Sequence, residues 1–248
     1  YLEGGKDRRG TAFKRAYLVS LLERISQVEG IERIRLGSLE PRIITREFAE
    51  RLAKIPQLCP HFHLSLQSGC DETLRRMNRR YTSEEYYEKC MLLRKYFAHP
   101  ALTTDVIVGF PGETEEDFES SLAFVKDICF YETHIFPYSR RQGTKAAAMK
   151  EQLTEAVKKE RSEKMLSVNR ERMAEYEKTM EGKMLEILLE EECEINGKAY
   201  YLGHSREYVR TAVEKRDGLS VNDIVTVKAE SFPEGESFRC NLRGSILK

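Results

Sequence analysis

The run from Ala101 to Asp117 limits the possible folds of this chain more than any other. Val106, Ile107 and Val108 are consecutive and β-branched, the make-up of a strand covered on both faces. Gly109 and the Pro111-Gly112 pair end that strand. Thr114 is a good N-cap, and Glu115, Glu116 and Asp117 suit the positive end of a helix. Phe118, Leu122 and Val125 then recur at helical spacing, so the helix folds back onto the sheet. Such a junction lies at the carboxyl edge of a parallel sheet, where α/β proteins place ligands. Asp105 is the odd residue in the strand: a carboxylate satisfied by nearby backbone, or a ligand contact.

The flanking sequence repeats this alternation. Leu18, Leu21, Leu22, Ile25 and Val28 form a helix face stopped by Gly30. Ile31 to Gly37 reads as a strand, followed by Ser38-Leu39-Glu40-Pro41. Thr45 caps a helix carrying Phe48, Leu52 and Ile55. His61 to Leu66 is a strand leading into Gln67-Ser68-Gly69-Cys70. A short helix through Leu74 and Met77 comes next. Thr82 and Glu85 then make a capping box for a helix with Tyr86, Cys90, Leu93 and Phe97 inward. After the central unit, Thr133 to Phe136 is a strand running into Tyr138-Ser139-Arg140-Arg141-Gln142-Gly143-Thr144. Strands separated by helices must run parallel, which predicts an α/β sheet or barrel.

Thr154 to Met180 contains no Gly or Pro and balances its charges, as a solvated connecting helix does. Beyond Lys183 the pattern becomes half-buried alternation, as in Phe238, Cys240, Leu242 and Ile246. About five short strands in this region predict a small, closed, antiparallel β-barrel. The expected domains are 1–150, a parallel (βα) barrel part; 151–181, the connecting helix; and 182–248, the small barrel.

With 41 basic and 41 acidic residues, no overall field announces a polyanionic partner. No apolar run approaches membrane-spanning length. Cys59, Cys70, Cys90, Cys129, Cys193 and Cys240 are too scattered for a zinc or iron–sulfur motif. They read as reduced thiols of a cytoplasmic protein. His61, His63 and His134 lie in or beside strands and read as core or surface histidines, with no metal assigned.

Four motifs, in order, give a more specific reading. They are Gln67-Ser68-Gly69, Met77-Asn78-Arg79-Arg80-Tyr81-Thr82, Thr103 through Thr114, and Tyr138-Ser139-x-Arg141-x-Gly143-Thr144. Together they resemble the radical S-adenosylmethionine methylthiotransferases, and the last 65 residues or so resemble that family's TRAM domain, an RNA-binding barrel. Ser38-Leu39-Glu40-Pro41 and Cys59-Pro60-His61 resemble the branch acting on threonylcarbamoyladenosine next to the tRNA anticodon. The resemblance implies about four of the family's six barrel strands. It also implies S-adenosylmethionine, two 4Fe-4S clusters in the full-length protein, an electron donor, and the tRNA anticodon stem-loop as partner. The family's Cys-x-x-x-Cys-x-x-Cys motif is not in the chain, which therefore reads as an inactive fragment of a longer enzyme.

Carried over position by position, the resemblance implies cofactor contacts at Ser38, Gln67, Arg79 and Asp105. Arg79 would clamp the methionine carboxylate, and Asp105 and Gln67 would bond the ribose or the α-amino group. Ile107 and Gly109 would form an apolar shelf for adenine, closed by Phe136 and Tyr138. RNA contacts are expected at Arg206, Arg210, Arg239, Asn241 and Arg243. The charge there is restrained: from Gly182 onward ten Lys or Arg stand against twelve Asp or Glu, a net of −2. Alternatives are methylthiolation of isopentenyladenosine or of a ribosomal protein, a non-redox barrel using Asp105 and Glu113 as acid and base, and a non-catalytic RNA-binding module.

Overall fold

A computed structural model describes residues 17–232 and 242–246. The chain divides into two compact units, Tyr1–Arg172 and Met173–Lys248.

The first unit is a four-stranded, all-parallel sheet in the order β1-β2-β3-β4. These strands are β1 (Ser38–Leu39), β2 (His61–Leu64), β3 (Ala101–Val108) and β4 (Glu132–Pro137). Helices α1 (residues 17–25), α2 (Arg46–Leu52), α3 (Asp71–Arg76), α4 (Ser83–Tyr96), α5 (Glu115–Ile128) and α6 (Glu155–Lys178) complete the order. The capping box expected of Thr82 with Glu85 opens α4, and Thr114, expected as an N-cap, forms a box with Asp117 that opens α5.

The two faces of the sheet differ. Phe62 and Leu64 of β2 and Leu102, Thr104, Val106 and Val108 of β3 are buried. They share a core with Phe48 and Leu52 of α2, Tyr86 and Leu93 of α4, and Phe118, Val125 and Ile128 of α5. On the other face His63, Asp105 and Ile107 are half-buried, while His134 and Phe136 are exposed. β3 is therefore not covered equally on both sides, as its β-branched run suggests. Its odd-numbered residues past Thr103 meet an open polar face, and its even-numbered ones meet helices.

Two further expectations change. The strand expected at Ile31–Gly37 is only an isolated bridge, Ile34 to Leu58, and pairing with β2 begins at Ser38. Helix α6 is not simply solvated. Met165 and Val168 join the core, and Lys158 and Arg161 are buried. Balanced charge along a helix does not reveal which charges have buried partners.

Arg161 has such partners. One guanidinium nitrogen lies 2.7 Å from Glu113 Oε2 and 3.0 Å from the Glu113 carbonyl; the other lies 3.0 Å from Glu115. The Arg161 and Glu113 side chains are only 6% and 1% exposed, so loss of one strands the other in a dry site. The same Glu113 oxygen accepts the Gly109 N–H at 2.7 Å. Burial pushes the Glu113 carboxyl above its ordinary range, against the pull of the Gly109 amide and Arg161.

Among the described residues the second unit contains five strands: β5 (Met184–Ile195), β6 (Lys198–His204), β7 (Arg210–Glu214), β8 (Ile224–Ser231) and β9 (Leu242–Ser245). They close into a barrel in the order β5-β6-β7-β9-β8. The pairs are antiparallel except β7 with β9, which is parallel. The purely antiparallel expectation is thus corrected, and the reason is parity. Directions cannot alternate all the way round a ring with an odd number of strands. Gly203 permits a close approach at the β5 irregularity, because a Cβ there would lie 1.9 Å from the Leu188 carbonyl oxygen.

Arg161→Ala is expected to lower unfolding stability by about 3–5 kcal/mol, because it leaves Glu113 buried without its counter-charge. The double variant Glu113→Gln/Arg161→Met should lie nearer wild type than Arg161→Ala alone. Urea denaturation of the single and double variants checks the coupling; additive losses would show that the two side chains act independently.

Candidate functional site

The carboxyl end of the parallel sheet is held by a small set of hydrogen bonds. Gln67 has φ of +73° and continues the sheet as a single bridge beyond β2. Its N–H donates to the Asp105 carbonyl at 2.8 Å, and its carbonyl accepts the Ile107 N–H at 2.9 Å. Side chains brace this turn. The Thr104 hydroxyl accepts the Leu66 N–H at 3.0 Å, and the Tyr81 hydroxyl donates towards the Ser65 and Leu66 carbonyls at 2.9 and 2.8 Å. Burial pushes the Tyr81 phenol up to about 12, so it stays a neutral donor. Beyond β3, the Tyr138 N–H donates to the Val108 carbonyl at 2.9 Å, which sets the start of the next loop.

These constraints shape a cleft of about 460 Å³, a size suited to a nucleoside-like ligand. Gln67, Asp105, Ile107, Phe136 and Tyr138 line it, together with Pro137 at the end of β4 and Ser139, Arg141, Thr144 and Ala146 beyond it. Five residues singled out from the sequence as cofactor contacts therefore converge. Ile107 and Phe136 are register partners, so they form an apolar floor across two strands. The Tyr138 hydroxyl is buried with no hydrogen-bond partner among the described residues. Its ring lies edge-on to Phe110, with the Lys158 ammonium 5.4 Å from its centroid.

The other three lie outside the cleft lining. Ser38 is exposed on β1, in register with His63. Arg79 is exposed between α3 and α4, where its charge favours ionisation of Tyr81 and Glu40 opposes it. Gly109 is buried, with φ of +72°, and a Cβ there would come within 2.5 Å of Lys158 Cγ. It acts as the hinge of the turn against α6 rather than as an open shelf. Glu113, the suggested acid–base partner of Asp105, is committed to Gly109 and Arg161 and does not line the cleft.

Asp105 is not satisfied by backbone alone. Its Oδ2 lies 3.3 Å from His63 Nε2, and His63 Nδ1 lies 3.0 Å from the Thr103 hydroxyl. His134 is the register partner of Asp105. Single-residue reading placed both histidines in strands but could not show that they share a face with Asp105.

In the small barrel, each described candidate arginine faces a glutamate. Arg206 is 4.0 Å from Glu186, Arg210 pairs with Glu191, and Arg243 Nε is 3.0 Å from Glu230. Arg239 and Asn241 lie outside the described residues. Tyr208, with φ of +66°, stacks on His204 at 4.1 Å with an interplanar angle of 10°.

Comparison with known proteins gives this site its context. Residues 10–125 match the family model described as the Radical SAM superfamily. The chain is 38% identical over 225 residues to the threonylcarbamoyladenosine tRNA methylthiotransferase MtaB of Bacillus subtilis, a match covering 90% of this chain and 49% of that protein. It is 37% identical over 214 residues to the tRNA-2-methylthio-N(6)-dimethylallyladenosine synthase of Clostridium botulinum, covering 86% of this chain and 47% of the relative. Escherichia coli coproporphyrinogen III oxidase HemN, a radical SAM enzyme, shares the fold with a TM-score of 0.52 at 13% identity, over 77% of this chain and 51% of that one. The chain belongs to the radical S-adenosylmethionine methylthiotransferase family. It spans about half the length of the curated relatives it matches.

The family's cofactors can be tested against these residues. S-adenosylmethionine fits the cleft: it has an apolar floor, a carboxylate, an amide and one unsatisfied buried hydroxyl. An iron–sulfur cluster does not find ligands here. Among the described residues no three cysteines converge; Cys90 is buried with its thiol pushed up to about 12, and the Cys70 thiol donates to Asp117.

Two tyrosines should respond oppositely to loss of the hydroxyl. Tyr81→Phe is expected to cost about 1–2 kcal/mol, since two carbonyls lose their shared donor. Tyr138→Phe should leave stability unchanged or raise it by up to about 1 kcal/mol, because no bond is lost. Urea denaturation measures both; a clear loss for Tyr138→Phe would show that its hydroxyl already has a partner.

Proposed function

We propose that this chain forms the cofactor-positioning and RNA-docking part of a tRNA methylthiotransferase. In this reading the enzyme carries out 2-methylthiolation of N6-threonylcarbamoyladenosine. The observation that carries the reading is the convergence of Gln67, Asp105, Ile107, Phe136 and Tyr138 on one cleft at the sheet's carboxyl edge. When bound beside a reduced iron–sulfur cluster, S-adenosylmethionine supplies one-electron chemistry able to break an unactivated C–H bond.

The residues divide the work of binding. Asp105 and the Gln67 amide accept and donate hydrogen bonds to ribose hydroxyls or the α-amino group. Ile107 and Phe136 cover the adenine face and exclude water from it. Tyr138 offers its unpaired hydroxyl to the ligand. Ser38 and Arg79 belong to the wider rim, where Arg79 could meet a carboxylate only through a rearrangement of its exposed side chain.

The choice of substrate is supported by Ser38-Leu39-Glu40-Pro41 and Cys59-Pro60-His61, the motifs that resemble the threonylcarbamoyladenosine branch. Arg141, part of the family-wide motif, lines the same cleft, where a guanidinium suits the carboxylate of a threonylcarbamoyl group. Two 4Fe-4S clusters, an external electron donor and a cytoplasmic location complete the proposal on the strength of family membership. The five-stranded barrel is assigned as a TRAM-like domain that docks the anticodon stem-loop, with exposed Tyr208, stacked on half-buried His204, as a platform for an unpaired base.

Calorimetric titration of S-adenosylhomocysteine into the chain tests the cleft. Saturable binding is expected, weakened about 10- to 100-fold by Gln67→Ala together with Asp105→Asn and about 3- to 10-fold by Tyr138→Phe. Absence of saturable binding at millimolar ligand overturns the reading. Arg141→Ala should remove any preference for a threonylcarbamoylated over an unmodified anticodon stem-loop, measured by filter binding.

A further inference from the structure

Asp105 has two sides. It lines the cleft, and it also faces two histidines lying in the adjacent strands. Parallel register sets up this second arrangement. His63 of β2 is paired with Thr103, and His134 of β4 is paired with Asp105. Residues two apart on a strand share a face, so Thr103 and Asp105 point to the same side as both histidines. His63 and Asp105 are half-buried and His134 is exposed, so the site is open to solvent.

We propose that His63, Asp105 and His134 form a binding site for a divalent transition-metal ion on the open face of the sheet. The site lies one layer nearer the amino-terminal ends of the strands than the cleft floor. It shares Asp105 with the cleft, but His63 and His134 are not among the residues that line the cleft, so loss of ion binding and loss of nucleoside binding can be told apart. One donor atom from each residue lies within 4.8 Å of the others. Metal–donor bonds of about 2.0–2.1 Å in tetrahedral geometry place neighbouring donors about 3.3 Å apart. His63 Nε2 and Asp105 Oδ2 are already separated by 3.3 Å. His134 needs only a small movement of an exposed side chain to complete the set.

The surroundings favour a metal over a simple hydrogen bond. The buried Thr103 hydroxyl holds His63 Nδ1, as second-sphere partners hold the distal nitrogen of a metal-bound histidine. If that nitrogen carries the proton, Nε2 and Oδ2 are two acceptors facing each other, and either a further proton or a metal ion is needed between them. A proton shared by His63 and Asp105 would satisfy that pair, but it would leave His134 without a purpose in the cluster. The Glu132 carboxylate, 3.9 Å from His134 Nε2, adds negative charge beside the site. Two imidazoles and a carboxylate suit zinc, cobalt(II) or iron(II) rather than magnesium or calcium.

Cobalt(II) titrated into the chelator-treated 248-residue chain tests the site. Binding of a single ion is expected, with visible d–d absorption and without the near-ultraviolet charge-transfer band of a thiolate ligand; zinc should then displace the cobalt. His134→Ala should weaken binding more than 10-fold, and Thr103→Val about 10-fold through loss of ring orientation. His134 is exposed, so its removal leaves the core intact, and circular dichroism verifies that. A thiolate band, no spectral change in excess cobalt, or unchanged affinity in folded His134→Ala would overturn the proposal.

Discussion

Glu113 gives the site its frame. A single carboxylate oxygen receives the amide that ends β3 and a guanidinium from α6, 48 residues away. That oxygen joins a strand end, the turn before α5 and a distant helix in one buried contact. Without it, the left-handed Gly109 would be a flexible joint. With it, the start of the β4 loop and the end of β3 are held against the same support, through Lys158 on Gly109 and Tyr138. The cost of burying the carboxylate shows in its raised pKa. The fold tolerates that cost because the ion pair and two further Arg161 bonds offset it.

From that frame the open face of the sheet can be read in layers. Ser38, His63, Thr103 and Glu132 form one row across all four strands. Asp105 and His134 form the next, and Ile107 and Phe136 the one beyond. Polarity therefore changes with depth, from a layer rich in donors and acceptors to an apolar floor beneath the loop after β4. Asp105 lies where the two meet. Its two oxygens can serve different layers at once, which explains a carboxylate in a strand that otherwise reads as core.

Local rules made much of the first unit legible. The caps at Thr82 and Thr114 form as their spacing predicts, because a cap involves residues only three apart. The β2, β3 and β4 strands were legible from apolar runs ended by turns. β1 was not: its apolar residues Ile34 and Leu36 are buried, but pairing starts only at Ser38. Burial shows in composition; hydrogen-bond register does not. Gln67, Asp105, Ile107 and Tyr138 were accessible through family motifs and Phe136 through its place at the end of the next strand, whereas the His63–Asp105–His134 cluster needed the register of three strands. The Glu113–Arg161 pair was hidden for a similar reason, since no helical periodicity links residues 48 positions apart.

The small barrel shows the limit from the other side. Five strands and closure were both legible, and together they already require one parallel neighbour; only its place, between β7 and β9, needed coordinates. The charge pattern was less transparent. A net of −2 suggested weak attraction to phosphate, and the described candidate arginines, Arg206, Arg210 and Arg243, each face a glutamate. Exposed pairs of this kind are worth little to stability and exchange partners readily. A phosphate can therefore replace Glu191 at Arg210 or Glu230 at Arg243 at small energetic cost, while the glutamates repel polyanions that lack the right spacing. For the RNA-docking role proposed above, that balance would give selectivity for one shape of RNA over bulk nucleic acid, which a uniformly basic surface could not provide.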